Sequence, residues 1–308
     1  MDLKQLEYIV EISKTNNISQ AAKNLFVSQS ALNQQLLKLE KDLGCQLFYR
    51  SRTNWHPTPV GEIYIEGAKK ILLIKKDTYS RINDIMHDRE SELRLGLVPR
   101  RGIQMFTSIY PRLHKSFSNI KLTPLEMSVA EQQEAIRNGD IDLGFMTLSR
   151  DQMTDDIYEF VGREELVLFC PAIHPLCEKI SEEYELPVID IREFRYEPFA
   201  VMYQGSTIRP ICDRIFAEAG FDPHILIETS TTSSIPALVA SNLCLGIAPR
   251  YYLDPKDTRI RAFALKGHPT WDLCISYRRK SYLSEAASEY IRLAGAYWKQ
   301  VLPPVQTN

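Results

Sequence analysis

The chain has 308 residues, of which 44% are hydrophobic and 25% charged, with a formal net charge of −2. Those proportions are ordinary for a globular protein of two or three domains and exclude a disordered or fibrous chain. The most apolar short run, Ile71-Leu72-Leu73-Ile74, is flanked by lysines and falls far short of the ~20 apolar residues a membrane span needs.

No basic stretch leads into an apolar core after Met1-Asp2-Leu3-Lys4, so no secretory signal is read and a cytoplasmic, non-membrane protein is expected. Cys45, Cys170, Cys177, Cys212, Cys244 and Cys274 form no C-x-x-C pair, which argues against a zinc site or a disulfide framework. The six histidines share no ligand spacing, so neither metal nor cofactor is expected. Residues 1–60 carry seven Lys/Arg against five Asp/Glu, a slightly basic segment in an acidic chain.

From Leu3 to Lys14, Leu3, Leu6, Ile9, Val10 and Ile12 recur at three- and four-residue intervals, the period of an amphipathic helix broken by Asn16-Asn17. Ser19 is read as the cap of a short second helix that turns Ala21, Ala22 and Leu25 inward, and Phe26-Val27 as a tight turn. Ser28 caps a third helix whose inner face is Ala31 or Leu32, then Leu36, Leu39 and Leu43, with Gly44 as its C-cap. Its other face begins Gln29, Ser30, Asn33, Gln34 and Gln35, polar but almost uncharged. On an isolated helix such a face is merely solvated. Behind a short helix at helix-turn-helix spacing, those amides and hydroxyls suit the base edges of a major groove.

After Leu47-Phe48, the segment 49–57 combines turn formers with Arg50 and Arg52, as a small wing would. Both arginines are placed to reach phosphate or the minor groove, although Arg50 serves equally well as the partner of a carboxylate within the head. From Pro59 to about Asp88 runs a long helix, with Val60, Ile63, Tyr64, Gly67, Ile71, Ile74, Thr78, Ile82 and Ile85 along one seam. The seam either packs on its own domain or pairs with a second copy; pairing fits a reader of two half-sites better.

Beyond Ser91 the pattern alternates. Strands are expected at 93–98, 120–127, 141–146, 166–170, 198–202, 225–227, 244–248 and 271–277, with helices at 103–117, 130–138, 207–219, 235–241 and 285–298. That alternation predicts a parallel α/β sheet and a second α/β lobe.

Taken together, the Ala21-Ala22 helix, Ser28-Gln29-Ser30-Ala31-Leu32, Leu39-Glu40, Leu43-Gly44, Leu47-Phe48, Arg50 and Thr58-Pro59-Val60-Gly61 resemble the winged helix-turn-helix of LysR-type transcriptional regulators. The resemblance covers the whole chain. It implies an α/β protein with an N-terminal winged helix-turn-helix at 1–60, a linker and dimerisation helix at 61–90, and a two-lobed effector-binding domain like a periplasmic binding protein at 91–308. Lobe I would take about 91–162 and 267–302, and lobe II about 163–266. It also implies a homodimer or homotetramer that binds double-stranded DNA under control of a small-molecule effector.

On the head, the DNA-binding candidates are Ser28, Gln29, Ser30, Asn33, Gln34, Lys38, Arg50, Arg52 and Thr53. Two of these depart from the family: Asn33 stands where members commonly carry Ser, and Thr53 where they place a wing arginine. Asn33 brings adenine within its repertoire, because an amide can bond bidentately to N6 and N7. In the second domain the resemblance places the effector between the lobes, near Arg100, Arg101, Ser128, Thr147, Gln204, Ser206, Thr207, Thr231 and Thr232. Hydroxyls and helix N-termini suit a small carboxylate or other anion. Ser128, Ser206 and Thr232 are equally read as helix caps, and Arg100 and Arg101 as a charged clamp or as solvated side chains.

The competing reading is an enzyme or plain solute binder with an accessory DNA-binding head. No G-x-G-x-x-G, G-x-S-x-G or H-E-x-x-H occurs, and Asp140-Ile141-Asp142 reads as a helix-to-strand turn, so the chain is not expected to be an enzyme.

Overall fold

The computed structural model describes residues 2–51, 55–86, 91–179 and 186–305. They form two compact units, 1–89 and 90–308.

In the first unit, α1 (Leu3–Thr15), α2 (Ile18–Asn24) and α3 (Gln29–Leu43) are followed by a two-stranded antiparallel hairpin, β1 (Phe48–Tyr49) and β2 (His56–Pro57), and by α4 (Pro59–Met86). Ile9, Ile12, Ala21, Ala22, Leu32, Leu36, Leu39, Leu47 and Phe48 make one buried core. The small Ala21 and Ala22, both almost inaccessible, let α2 come close to its neighbours. The cap of α2 is Asn17, not Ser19: its side-chain oxygen accepts the N–H groups of Ser19 and Gln20 at 2.9 and 3.1 Å. Asparagine is as good a cap as serine, and the expectation was displaced by two residues. Ser28 caps α3, and Gly44 ends it in the left-handed conformation with φ 71°. Of the expected inner face of α3, Leu32 is buried and Ala31 is not, while Leu43 is 44% exposed. The last turn has run past the core.

The α4 helix packs against α1 through Ala68 with Leu6 and Val10, and Lys75 pairs with Glu7 at 2.7 Å. A different stripe of α4 faces away: Val60, Ile63, Ile74, Ile82 and Ile85 are all at least 40% exposed.

The second unit contains β3 (Ser91–Leu97), α5 (Arg101–Ser116), β4 (Ile120–Glu126), α6 (Val129–Asn138), β5 (Leu143–Leu148) and the long β6 (Ile157–Pro171). There follow β7 (Val188–Ile189), β8 (Pro198–Met202), α7 (Arg209–Ala219), β9 (His224–Thr229), α8 (Ile235–Val239), β10 (Leu245–Pro249), β11 (Ile260–Leu265), β12 (Thr270–Tyr277) and α9 (Glu285–Val301). The strands run in the order β4-β3-β5-β12-β6-β10-β8-β9, with β11 also on β6.

The sheet is mixed, which corrects the expectation of a parallel one. The pairs β3–β4, β3–β5, β8–β9 and β8–β10 are parallel, but β6 is antiparallel to β12, β10 and β11. The correction has a physical origin in β6. Its first half, from Ile157 to Glu165, pairs with β12, and its second half, from Leu166 to Pro171, pairs with β10 and β11. One strand therefore belongs to both lobes. Only its second half is a continuous apolar run, so alternation along the sequence shows just that part.

Candidate functional site

On the head, α3 presents a polar outer face. Ser28 Oγ accepts the Ala31 N–H at 3.2 Å and also meets Ser30 Oγ at 3.1 Å, so both hydroxyls serve the helix start. Gln29 Oε1 accepts the Ser19 hydroxyl at 2.9 Å, tying α3 to α2. Asn33 is half-buried, and Gln34 and Lys38 are exposed; among the described residues none of the three has a side-chain partner. These are the groups left to meet something outside the chain.

Arg50 resolves differently. Its guanidinium pairs with Glu40, lies 5.5 Å from the Trp55 ring centroid, and is 31% exposed. Glu40, only 7% exposed, also accepts the Leu47 N–H at 2.8 Å. The internal reading of Arg50 is the one the geometry carries: it neutralises a buried carboxylate that pins the wing to α3. Arg52 and Thr53 lie outside the described residues.

In the second unit, a cavity of about 420 Å³ opens between the lobes. It is lined by Arg100, Arg101, Ser128, Thr147, Ser206, Thr207, Thr231 and Thr232, which the fold brings together from the end of β5 and four other segments. Gln204 does not line it; the side chain is exposed. Hydrogen bonds that cross the cleft include Arg100 Nη1 to Ser233 Oγ at 3.0 Å, Thr207 Oγ1 to the Thr147 carbonyl at 2.7 Å, and Gln152 Nε2 to the Thr207 carbonyl at 3.0 Å.

The cap and ligand readings separate here residue by residue. Ser128 is a cap, with its hydroxyl accepting the Glu131 N–H and Glu131 bonding back to the Ser128 N–H at 2.7 Å. Ser206 caps nothing, since the residue before α7 is Ile208, and its buried hydroxyl has no partner among the described residues. Thr232 is the first residue of a short 3-10 turn and not its cap, and Thr231 at the cap position makes no side-chain cap bond.

Arg100 and Arg101 do not form a joint clamp. Arg101 is 4% exposed and makes a bidentate pair with Glu164, at 2.8 and 3.2 Å. Its guanidinium sits 4.7 Å from the Tyr251 ring and 4.9 Å from that of Trp298, while Trp271 Nε1 donates to the same carboxylate at 2.7 Å. Arg101 is therefore an internal cation whose charge is already met.

Sequence reasoning overlooked Glu126, Glu131 and Glu164. The first two also line the cavity, and Glu126 accepts the Arg100 N–H at 2.8 Å. A Ser-x-x-Glu pattern at 128–131 was the available signal for Glu131. For Glu164 the signal was a pair of acids entering the apolar run 166–170, because carboxylates inside a strand require partners. Glu165, on the opposite face of β6, meets His268 Nδ1 at 2.7 Å.

Elsewhere in this unit, burial pushes the Cys212 and Cys274 thiols up to about 12, which keeps both protonated and unreactive.

Residues 87–299 match the model of the LysR substrate binding domain, and residues 3–62 that of the bacterial regulatory helix-turn-helix protein, lysR family. The chain belongs to the LysR family of transcriptional regulators. YwbI of Bacillus subtilis, an uncharacterized HTH-type transcriptional regulator, is 29% identical over 304 residues, covering 96% of this chain and 97% of that protein. HcaR of Escherichia coli, the hca operon transcriptional activator, is 26% identical over 82% of each chain. Among solved structures, a full-length OxyR variant from Pseudomonas aeruginosa superposes with a TM-score of 0.72 at 23% identity, covering 100% of this chain and 98% of that one. Full-length CbnR complexed with its target DNA gives 0.57 at 19% identity, over 96% and 100%. At these identities the structures establish the fold: a winged helix-turn-helix joined to a curled, mixed α/β effector domain. As a LysR-type regulator, the protein is a DNA-binding transcription factor with a small-molecule site; its relatives are transcriptional regulators, which fits this reading and not that of a solute binder or enzyme with an accessory head.

Proposed function

We propose that residues 1–60 read DNA, that 61–90 join two copies of the chain, and that 91–308 sense an effector in the cavity between a lobe of about 91–162 with 267–302 and a lobe of about 163–266. The protein works in the cytoplasm, as a homodimer or homotetramer, and does no chemistry on its ligand. The observation that carries the reading is the pairing of an outward polar face on α3 with a cavity walled by both lobes. A ligand that closes such a cavity stabilises one arrangement of the lobes over another, which is what control of DNA affinity or bending requires. At least one anionic group on the effector suits the cavity's hydroxyls and Arg100. The apolar stripe of α4 supports pairing, since the five aliphatic residues Val60, Ile63, Ile74, Ile82 and Ile85 stand exposed along one side of it.

On α3, Asn33, Gln34 and Lys38 are proposed as the groups that contact DNA, with Asn33 reading a base. Ser28, Gln29 and Ser30 position the helix, and their hydroxyls and amides are placed for phosphate. Asn33→Ala is expected to cost about 1–3 kcal/mol at one base pair and to relax preference there, measured by competition with operator variants. Equal weakening on every sequence would reassign Asn33 to positioning.

The whole proposal is tested by gel shifts with DNA upstream of the gene itself or a divergent neighbour, with and without metabolites. A salt-sensitive, sequence-preferring shift that a metabolite alters is expected. Its absence at every such site would falsify the reading.

A further inference from the structure

We propose that the effector is a small zwitterion, carrying an ammonium as well as a carboxylate, and that Glu126 and Glu131 bind the ammonium. The inference rests on the cavity being the effector site. Its basis is the charge balance of the cavity wall. Four charged residues line it: Arg100, Arg101, Glu126 and Glu131. The Arg101 charge is cancelled by Glu164, as the bidentate pair shows. The Arg100 guanidinium donates to a neutral hydroxyl, that of Ser233, and meets no carboxylate among the described residues. Glu126 and Glu131 accept only from N–H and hydroxyl donors and meet no cation among the described residues. Among the described residues, two exposed carboxylates with no cation partner therefore line the cavity together with one exposed guanidinium that has no carboxylate partner.

This arrangement alters what the helix starts can do. The N-terminus of α6, which would attract a ligand carboxylate, already holds the Glu131 carboxylate through the Ser128 N–H and hydroxyl, both at 2.7 Å. Those bonds keep the Glu131 carboxyl below its ordinary range, so it is anionic at neutral pH. The Arg100 N–H before α5 is likewise taken by Glu126. A plain dicarboxylate would add negative charge to a wall whose helix-start N–H groups are already engaged. An ammonium meets two fixed acceptors there instead, and a carboxylate on the same molecule has Arg100 and unengaged hydroxyls to reach. Ser206 Oγ is buried without a partner, and Thr147, 5% exposed, has no hydrogen bond from its hydroxyl among the described residues. A volume of about 420 Å³ accommodates a ligand of amino-acid size with some extension.

The test uses the full-length protein, thermal shift and calorimetric titration. The probes are the proteinogenic and common ω-amino acids, each with its deaminated acid and its decarboxylated amine. At least one zwitterion is expected to bind, with the matching acid and amine each weaker by about tenfold or more. The double variant E126Q/E131Q keeps an acceptor oxygen at both helix starts and is expected to erase the preference for the zwitterion over its acid. The proposal is overturned if no zwitterion binds, if an acid binds as tightly as its amino counterpart, or if the preference survives in E126Q/E131Q. Ser206→Trp, which fills the cavity from a loop, separates this failure from that of the underlying reading. If an acid or amine binds and Ser206→Trp abolishes it, the cavity stands and only the zwitterion falls. If any ligand binds as well to a folded Ser206→Trp variant, the cavity is not the effector site.

Discussion

Glu164→Ala is expected to lower the melting temperature of the second unit by roughly 6–20 °C. Glu164 is 1% exposed and accepts three N–H groups, two from Arg101 and one from Trp271. Without it the Arg101 guanidinium remains buried among Tyr251, Tyr252 and Trp298 with nothing to balance its charge. Removing one partner of a buried pair costs about 3–5 kcal/mol, and in a unit of this size each kcal/mol is worth about 2–4 °C. The pair as a whole is worth much less than this loss implies, since taking both ions out of water is itself expensive and Arg101 Nε has no partner among the described residues. The double variant Arg101→Met/Glu164→Gln removes the cation, keeps an acceptor for Trp271, and is expected to recover most of the lost stability. Thermal denaturation of the parent, the Glu164→Ala variant and the double variant decides the matter. A Glu164→Ala protein melting within about 2 °C of the parent would show that the ion pair does not bear on stability as argued.

Gly61→Ala is expected to destabilise the head by the upper part of about 1–3 kcal/mol and to weaken DNA binding in proportion. A methyl added at Gly61 would stand 2.0 Å from the Leu47 carbonyl oxygen. That oxygen cannot retreat. It accepts the Thr58 N–H at 2.9 Å, the Leu47 N–H is bonded to Glu40, and Leu47 itself is fully buried. The Thr58 hydroxyl meanwhile donates to the Gln46 carbonyl at 2.7 Å and accepts the Gly61 N–H at 3.0 Å, so the start of α4 is clamped to the wing. Gly67, two turns along the same helix, has nothing within 4 Å of an added methyl. Gly67→Ala is expected to have the opposite sign, a gain of up to about 1 kcal/mol from better helix propensity. Urea denaturation followed by circular dichroism compares the two, and equal effects would mean that the contact with Leu47 is not what makes Gly61 necessary.

The head was legible because its decisive interactions are local. Caps, turn residues and the apolar spacing of α1, α3 and α4 act within a few residues, so Ser28, Gly44 and the stretch Thr58-Pro59-Val60-Gly61 reveal themselves in order along the chain. Even there, the fate of Arg50 was open, because both a phosphate and a carboxylate satisfy a guanidinium and only packing against Glu40 and Trp55 chooses between them.

In the second unit, strand and helix alternation announced two α/β lobes, and serine, threonine and arginine near strand ends marked eight of the residues that line the cavity. The sign of that wall was not legible. The direction of β6, its division between two half-sheets and the burial of Arg101 against a residue 63 positions away are all products of long-range pairing. Sequence determines which groups are available, whereas burial and distant partners determine whether each charge is spent or free. For this protein the sequence by itself established a DNA-reading head and an effector domain. Only the tertiary structure decided that Arg101 is internally neutralised while Glu126 and Glu131 line the cavity with no cation partner among the described residues, because charge compensation depends on distance in space rather than along the chain.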